Sequence, residues 1–281
     1  MVSASVQTLL KRKRTVEKLI PAWEAFRPNR LVIRCQRQPF ATEQGHILAH
    51  VCKNRLLSSL TEESRTYLLD RCQTVTLEQR AVLFEEEESP SHAYFLESGF
   101  ASVVASMQGG ETAEVEMIGF EGVAGGFSLL GRTTVPIPTR CFIQIAAQAH
   151  KIPLSELRKA FHLFPDIQDR ISQFLQVEIA VLMQIAGCHR VHEAEQRLAR
   201  WLLMAHDRVE GDVLRLTQEF LAEMLGTRRT TVTEIAGALQ RRGFIEYQRG
   251  VVNVVNRTGL ESAACDCYRV VKKIYDSLYT A

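Results

Sequence analysis

Long apolar runs are missing from this 281-residue chain. The longest runs, such as 179–183 and 201–205, have five residues, far fewer than the roughly 18 that a membrane-spanning helix needs. The N-terminus also lacks the apolar block of a secretory signal, and the seven cysteines are odd in number and scattered, with no Cys-x-x-Cys pair. We therefore expect no membrane partner, a cytoplasmic location and reduced thiols.

The chain has little net charge, since 34 Lys and Arg oppose 32 Asp and Glu, but the charges are unevenly distributed. Residues 1–40 hold nine basic side chains, residues 60–126 hold thirteen acidic ones, and residues 215–257 hold seven arginines. A compact arginine cluster is the expected footprint of nucleic-acid binding, although a solvated surface gives the same count. The length and the apolar fraction of 46% favour a globular protein of two domains.

Helical and strand patterns succeed one another in the first half of the chain. Residues 6–26 form a basic amphipathic pattern within an N-terminal extension, 1–50, which could touch a membrane or another chain but is expected to pack on the neighbouring domain. Residues 61–72 predict a helix capped by Thr61. Short runs rich in Val, Ile, Phe and Thr then predict an antiparallel sandwich or barrel over 75–152. The predicted strands are 81–84, 93–96, 101–106, 113–118 and 141–147.

A second helical pattern begins at Pro153 and continues into an apolar stripe about five turns long that is predicted to end at Gly187. The spacing is close to that of a coiled-coil seam, so we predict that the stripe forms the interface of a homodimer, with burial inside the chain as the alternative. The stripe consists of Ile167, Ile171, Phe174, Val177, Val181 and Ile185.

Residues 218–237, which follow a predicted helix over 192–206, meet the requirements of a helix-turn-helix. Ala222 supplies the small residue where the two helices cross, and Gly226 supplies a turn residue that tolerates positive φ. The second helix presents short polar and basic side chains, so DNA binding is favoured over an ordinary helical hairpin. The apolar positions between the helices are Leu221, Leu225, Val232 and Ile235.

Two short strand patterns follow the helix-turn-helix. Residues 244–247 and 251–255 alternate as strands around a turn at 248–250, which is the pattern of a wing beside a recognition helix. Arg249 at the tip would contact the DNA backbone, and such a contact positions the protein without reading sequence.

The segment Leu216-Thr-Gln-Glu-Phe-Leu-Ala-Glu-Met-Leu-Gly-Thr-Arg-Arg, followed by Gly243-Phe-Ile, resembles the winged helix-turn-helix of the Crp/Fnr family of bacterial transcription regulators. Segments starting at Asn54, Tyr94 and Glu114 look like the family's cyclic-nucleotide-binding-type β-roll. The resemblance covers about residues 54–262 and implies an α+β fold. Its parts would be an antiparallel β-roll of the double-stranded β-helix type at 54–163, a dimerisation helix at 164–187, a winged helix-turn-helix at 190–262 and a C-terminal helix at 263–281.

The resemblance also implies a function and a set of contacts. The chain would be a homodimeric, sequence-specific regulator that binds an inverted repeat in duplex DNA and works with RNA polymerase. Base edges would be read by Arg229, Thr230 and Glu234, and phosphates would be contacted by Arg228, Thr233 and Arg249.

The sequence does not identify a cofactor or effector for the sensor-type β-roll, and it favours neither a cyclic nucleotide nor an iron–sulfur cluster. The candidate effector-pocket residues are Gly122, Gly125, Arg132 and Arg140, but the segment 122–131 has no acid of the kind that the family's cyclic-nucleotide binders use for the ribose. The acidic surplus of this region also disfavours an anionic ligand. Cys35, Cys52 and Cys72 lie too far apart in sequence for the N-terminal iron–sulfur cluster of oxygen-sensing relatives.

The remaining cysteines are interpreted as structural. Cys267 lies on the apolar stripe of a final amphipathic helix over 260–278 and is expected in the core, with a redox role as the alternative. His189 and His192 near Cys188 are interpreted as ordinary helix-surface residues, so no metal site is predicted.

Two other functions compete with DNA binding. The chain could be a ligand-sensing adaptor whose winged domain binds protein, or an enzyme. The sequence contains no nucleophile–base pairing, phosphate loop or metal-ligand spacing, so we predict that it is not an enzyme.

Overall fold

The computed structural model describes residues 52–110, 112–131 and 138–280. The N-terminal extension with its predicted helix at 6–26, and Arg132, lie outside the described residues. Two short helices come first, α1 (Arg55–Ser58) and α2 (Glu62–Leu69). The Asn54 side chain caps α1 by accepting from the Leu57 amide, and Thr61 caps α2 by accepting from the Ser64 amide.

Seven strands then form the β-roll. They make two antiparallel sheets, with strand order β1-β7-β3 and β2-β6-β4-β5. Side chains such as Phe95, Phe100, Ile143 and Ile152 are fully buried in its core. The predicted antiparallel β fold is therefore confirmed. The strands are β1 (Gln73–Leu77), β2 (Val82–Phe84), β3 (His92–Leu96), β4 (Phe100–Ser106), β5 (Thr112–Ile118), β6 (Thr139–Ile145) and β7 (Ala147–Pro153).

Two helices lead away from the β-roll, α3 (Leu154–Leu163) and α4 (Pro165–Val191). The predicted end of the long helix at Gly187 is wrong, because α4 continues for one more turn and its backbone becomes extended at His192. Gly187 lies inside the helix, where it is tolerated although glycine is a weak helix former. By length and composition α4 could also cross a membrane, but long core helices pass the same test, so this is weak evidence.

The predicted dimer stripe on α4 needs correction. Its residues pack inside the chain, since Ile167 and Ile171 are fully buried, Phe174 and Val181 are nearly so, and Val177 is partly buried. Ile185 is buried as well. Phe174 lies against Gly122 of the β-roll, where a Cβ atom would fall 1.9 Å from its ring. Five of the six residues are therefore buried within the chain itself, which is the alternative that the sequence analysis left open.

The C-terminal half is a winged helical domain. It contains a three-stranded sheet of order β8-β10-β9. The single C-terminal helix predicted from the sequence is divided in two, because Ala264 is extended and separates α8 from α9. The elements are α5 (Ala194–His206), β8 (Val213–Arg215), α6 (Gln218–Leu225), α7 (Arg229–Arg241), β9 (Ile245–Gln248), β10 (Val251–Val254), α8 (Arg257–Ala263) and α9 (Cys267–Ser277).

Buried polar contacts join the β-roll to the winged domain. The Trp201 indole N–H of α5 donates to Glu114 Oε1 of β5 at 2.6 Å. Arg208, directly after α5, makes a buried ion pair with Glu121 at 2.6 Å. The Glu121 carbonyl also accepts from the hydroxyl of Tyr279, so the end of the chain contacts the same loop. These contacts fix where the winged domain sits on the β-roll.

Candidate nucleic-acid interface

The helix-turn-helix consists of α6 and α7. Thr217 caps α6 by accepting from the Phe220 amide, and Gly226 ends it in the left-handed conformation with φ of 55°. Leu221, Leu225 and Val232 are buried between the helices, as the sequence predicted. Since the apolar residues point inward, the opposite face of α7 is left to solvent.

That outer face carries the polar residues that the sequence assigned to DNA, namely Arg228, Arg229, Thr230, Thr233 and Glu234, and all of them are exposed. They occupy the N-terminal half of α7, where the helix dipole favours negatively charged groups such as phosphates. Arg229 is held by Glu219 of α6, with Nη1 and Oε1 2.8 Å apart. Thr233 donates to Gln218 at 2.9 Å, so α6 orients side chains on α7.

The wing is a hairpin of β9 and β10. Gln248 pairs with Val251, so the loop is the two-residue turn Arg249-Gly250, one residue shorter than predicted. Both residues have positive φ, 49° and 76°, which is the geometry of a type I′ turn. The turn puts the exposed Arg249 side chain at the tip, and glycine takes the second position at no steric cost.

One surface groove connects the wing to the helix-turn-helix. Arg229 and Arg249 both line it, together with Gln218, Glu219 and Tyr247. The sequence did not single out Tyr247, whose hydroxyl donates to the Leu216 carbonyl at 2.9 Å and thereby ties β9 to the segment before α6. Burial raises the pKa of Tyr247 to about 12, so this phenol remains a hydrogen-bond donor at neutral pH.

Among the described residues, the predicted effector-pocket residues Gly122, Gly125 and Arg140 do not line one cavity. Gly125 lines a cavity of about 110 Å³ between the β-roll and α4. Gly122 is instead covered by Phe174, and the guanidinium of Arg140 stacks 5.0 Å from the Phe142 ring. Among the described residues, the charged groups that line the cavity are acids, Glu116 and Glu178.

Desolvation raises the pKa values of both acids, Glu116 and Glu178, and it raises that of Glu178 well above its ordinary value. Glu178 accepts a hydrogen bond from the hydroxyl of Tyr275 at 2.9 Å. A small cavity with an apolar wall and two acids, of which Glu178 is buried and Glu116 partly buried, presents no cation to a phosphate group.

Part of α4 remains uncovered in the single chain. Ile179 is 49% exposed and Met183, one turn further on, is 71% exposed. Ile179 also lies at the same cavity as the exposed Leu130. This apolar face is separate from the buried stripe.

Cysteines and a histidine come together at the end of α4. Cys188 and His192 meet Cys265, in the segment between α8 and α9, and Cys267, the first residue of α9. The sequence paired His192 with His189, whereas the structure brings His192, the residue that follows α4, next to Cys188 in the last turn of the helix. The break at Ala264, which the sequence pattern did not reveal, brings the other two residues to this face.

Residues 196–263 match the sequence pattern of the Crp-like helix-turn-helix domain. The chain is 25% identical over 178 residues to the transcriptional regulator SdrP of Thermus thermophilus, and the match covers 61% of this chain and 83% of SdrP.

Two solved structures share the fold. A putative Crp/Fnr-family transcriptional regulator of Eubacterium rectale superposes with a TM-score of 0.59 at 13% identity, over 74% of this chain and 96% of that one. A CRP-family transcriptional regulator of Thermus thermophilus superposes with a TM-score of 0.57 at 18% identity, over 68% of this chain and 96% of that one. These proteins are regulators, not enzymes.

Proposed function

We propose that this chain, which has a Crp-like helix-turn-helix domain and resembles transcriptional regulators of the Crp/Fnr type, binds duplex DNA sequence-specifically as a homodimer. The observation that carries the proposal is the groove shared by Arg229 of the second helix and Arg249 of the wing. A helix that enters the major groove brings such a wing to the adjacent backbone.

The residues divide into two kinds of contact. Arg229, Thr230 and Glu234 read base edges, with Arg229 donating two hydrogen bonds to guanine O6 and N7 and Glu234 accepting from cytosine N4. Arg228, Thr233 and Arg249 contact phosphates and set the orientation on the duplex. The ion pair between Arg229 and Glu219 supports this division, because it holds the guanidinium on the exposed side of α7 before DNA arrives.

The proposed dimer uses the uncovered face of α4. Ile179 and Met183 are large apolar side chains one helical turn apart, and a second copy would remove both from water. A twofold axis then requires two inverted half-sites separated by about one helical turn, roughly 10 base pairs.

The proposed site of action is a promoter, with RNA polymerase as a further partner. Since the target is chromosomal DNA, we infer that the protein is cytoplasmic. The cavity beside Gly125, at about 110 Å³, is smaller than the roughly 300 Å³ at which sites for drug-sized ligands begin, so we do not assign it an effector.

Selection of bound duplexes from a random pool tests the proposal directly. We expect an enriched site with inverted symmetry, and binding that weakens steeply with added salt because bound phosphates release counterions. The Arg228→Ala/Arg249→Ala variant, which lacks two proposed phosphate contacts, should show a shallower salt dependence. If no sequence were enriched from the pool and the affinity for DNA did not change with salt concentration, the protein-binding adaptor would be favoured instead.

A further inference from the structure

The side chains of Cys188, His192, Cys265 and Cys267 form a compact cluster away from the proposed DNA-binding groove. One potential ligand atom from each residue lies within 4.8 Å of all the others. Sγ of Cys188 is 3.5 Å from Sγ of Cys265, and Sγ of Cys267 is 3.5 Å from Nδ1 of His192. The three cysteines are at most 5% exposed and form a buried cluster of their own.

These separations are those of a tetrahedral zinc site. With Zn–S near 2.3 Å and Zn–N near 2.0 Å, the edges of the tetrahedron are about 3.8 Å between sulfurs and about 3.5 Å between sulfur and nitrogen. A disulfide would instead hold the sulfurs about 2.0 Å apart. Because an iron–sulfur cluster spreads its thiolates over several metal atoms, four ligand atoms this close together suit a single ion.

The surrounding groups are those that a zinc site requires. Since Nδ1 of His192 faces the sulfurs, its Nε2 is free for a second partner, and Asp266 Oδ1 lies 3.4 Å from it. A carboxylate on the far nitrogen fixes the ring orientation and makes the ligand nitrogen more basic. Gln184 Nε2 lies 3.1 Å from Sγ of Cys267 and donates to it, as amides do to metal-bound thiolates.

We propose that Cys188, His192, Cys265 and Cys267 bind one Zn²⁺ ion in a closed, structural site. All four positions are filled by protein ligands, so no water is bound and activated at the metal. The ion ties the C-terminal end of α4 to the start of α9 and the segment before it, and thereby fixes the angle at which the winged domain leaves α4. This assignment replaces the prediction that the chain has no metal site.

Metal analysis of the full-length protein tests the site. Purified under reducing conditions without chelator, the chain should contain about one zinc ion, and the Cys188→Ser and Cys265→Ser variants should contain less than about a tenth of that. Cys72→Ser is the matched control, since Cys72 is a half-buried cysteine of the β-roll region outside the cluster, and it should retain zinc.

A second variant keeps the test valid if serine variants fold poorly. His192→Cys should preserve zinc binding, because four thiolates also form a structural site, whereas His192→Ala should weaken it. Cobalt(II) added to the metal-free wild type should give the visible absorption of tetrahedral thiolate coordination, and this absorption should be missing in Cys267→Ser.

Three results would overturn the assignment. They are a reduced chain that takes up neither zinc nor cobalt, a metal-free chain isolated with a disulfide between Cys188 and Cys265, and stoichiometric iron in place of zinc. None of these measurements involves DNA, so the zinc site and the proposed DNA binding can fail separately.

Discussion

Arg228 and Arg229 are neighbours in sequence, yet we expect their substitutions to have different effects on DNA binding. Arg229→Ala should weaken the free energy of binding to the selected duplex by about 1–3 kcal/mol, because a bidentate base contact is lost. It should also remove the sequence preference at one base pair. Arg228→Ala should weaken binding to every duplex alike and reduce the salt slope by about one. Titrations of both variants with selected and scrambled duplexes at several salt concentrations distinguish base reading by Arg229 from phosphate contact by Arg228. Equal losses for Arg229→Ala on both duplexes would contradict base reading.

Glu114 should make the stability of the protein depend on pH. Its carboxyl group is fully buried, and burial raises the pKa from 4.5 to about 7 against the opposing hydrogen bonds from Ser102 and Trp201. Between those two pH values the folded state keeps a proton that the unfolded chain releases. The free energy of unfolding should therefore fall as the pH rises, by up to about 1 kcal/mol for each pH unit from this group.

Urea unfolding of wild type and Glu114→Gln at a series of pH values measures this contribution. Glutamine is close in shape and does not titrate, so the difference between the two proteins should change between pH 4.5 and 7 and stay constant above pH 7. Glu62→Gln, at an exposed position of α2, serves as the control for the removal of one carboxylate from the chain. A constant difference for Glu114→Gln across the range would show that the group does not titrate there.

Single residues also show how far the sequence predicts a site. The polar residues of α7 could be assigned because helix periodicity and Gly226 define which face is exposed. Cys188 and Cys265 could not be paired, since they are 77 residues apart and meet only through the packing of α4 against the segment between α8 and α9. Local patterns specify faces, whereas contacts between distant residues depend on the tertiary fold.

At the scale of elements, sequence patterns predicted the type of element better than its boundaries or its packing partner. β1 and β7 were missed because the segments Gln73–Leu77 and Ala147–Pro153 have few apolar residues, and the predicted strand 141–147 corresponds to β6. For α4 the periodicity gave the apolar stripe correctly. The periodicity of an apolar stripe does not determine whether the stripe packs on another element of the same chain or on a second copy.

The uncovered face of α4 leads to a prediction about assembly. Ile179→Asp/Met183→Asp should convert the proposed dimer to a folded monomer, because carboxylates would be desolvated in an apolar interface while remaining hydrated in the free chain. Sedimentation velocity gives the oligomeric state, and circular dichroism verifies folding. Gln173→Asp, at an exposed position on another side of the same helix, should leave the dimer intact. A dimer that survives both aspartates would mean that the interface lies elsewhere.

Across the whole molecule, the ion pair between Arg208 and Glu121 joins the two halves of the described chain, and both side chains are almost fully buried. Arg208→Met should lower the free energy of unfolding by about 3–5 kcal/mol, because the Glu121 carboxylate would lose its cation in a buried site. Equilibrium unfolding in urea measures the loss.

Arg242 provides the comparison, since its ion pair with Glu195, at 2.8 Å, is nearly as short but partly exposed. Arg242→Met should lower the free energy of unfolding by no more than about 1 kcal/mol. The double variant Glu121→Gln/Arg208→Met should recover part of the stability, because no uncompensated charge remains. If Arg208→Met lowered the free energy of unfolding no more than Arg242→Met does, the buried ion pair would not be what holds the two halves together.

The packing of α9 on α4 has a consequence during protein synthesis. Tyr275 bonds to Glu178 and Arg170 donates to the Leu278 carbonyl, so residues near the end of the chain complete a surface that begins at 165. At about 5–20 residues per second, the ribosome takes roughly 5 to 20 seconds to add the residues between these partners. During that interval one side of α4 has no native cover, and the nascent chain is open to capture by chaperones or to association with other nascent copies.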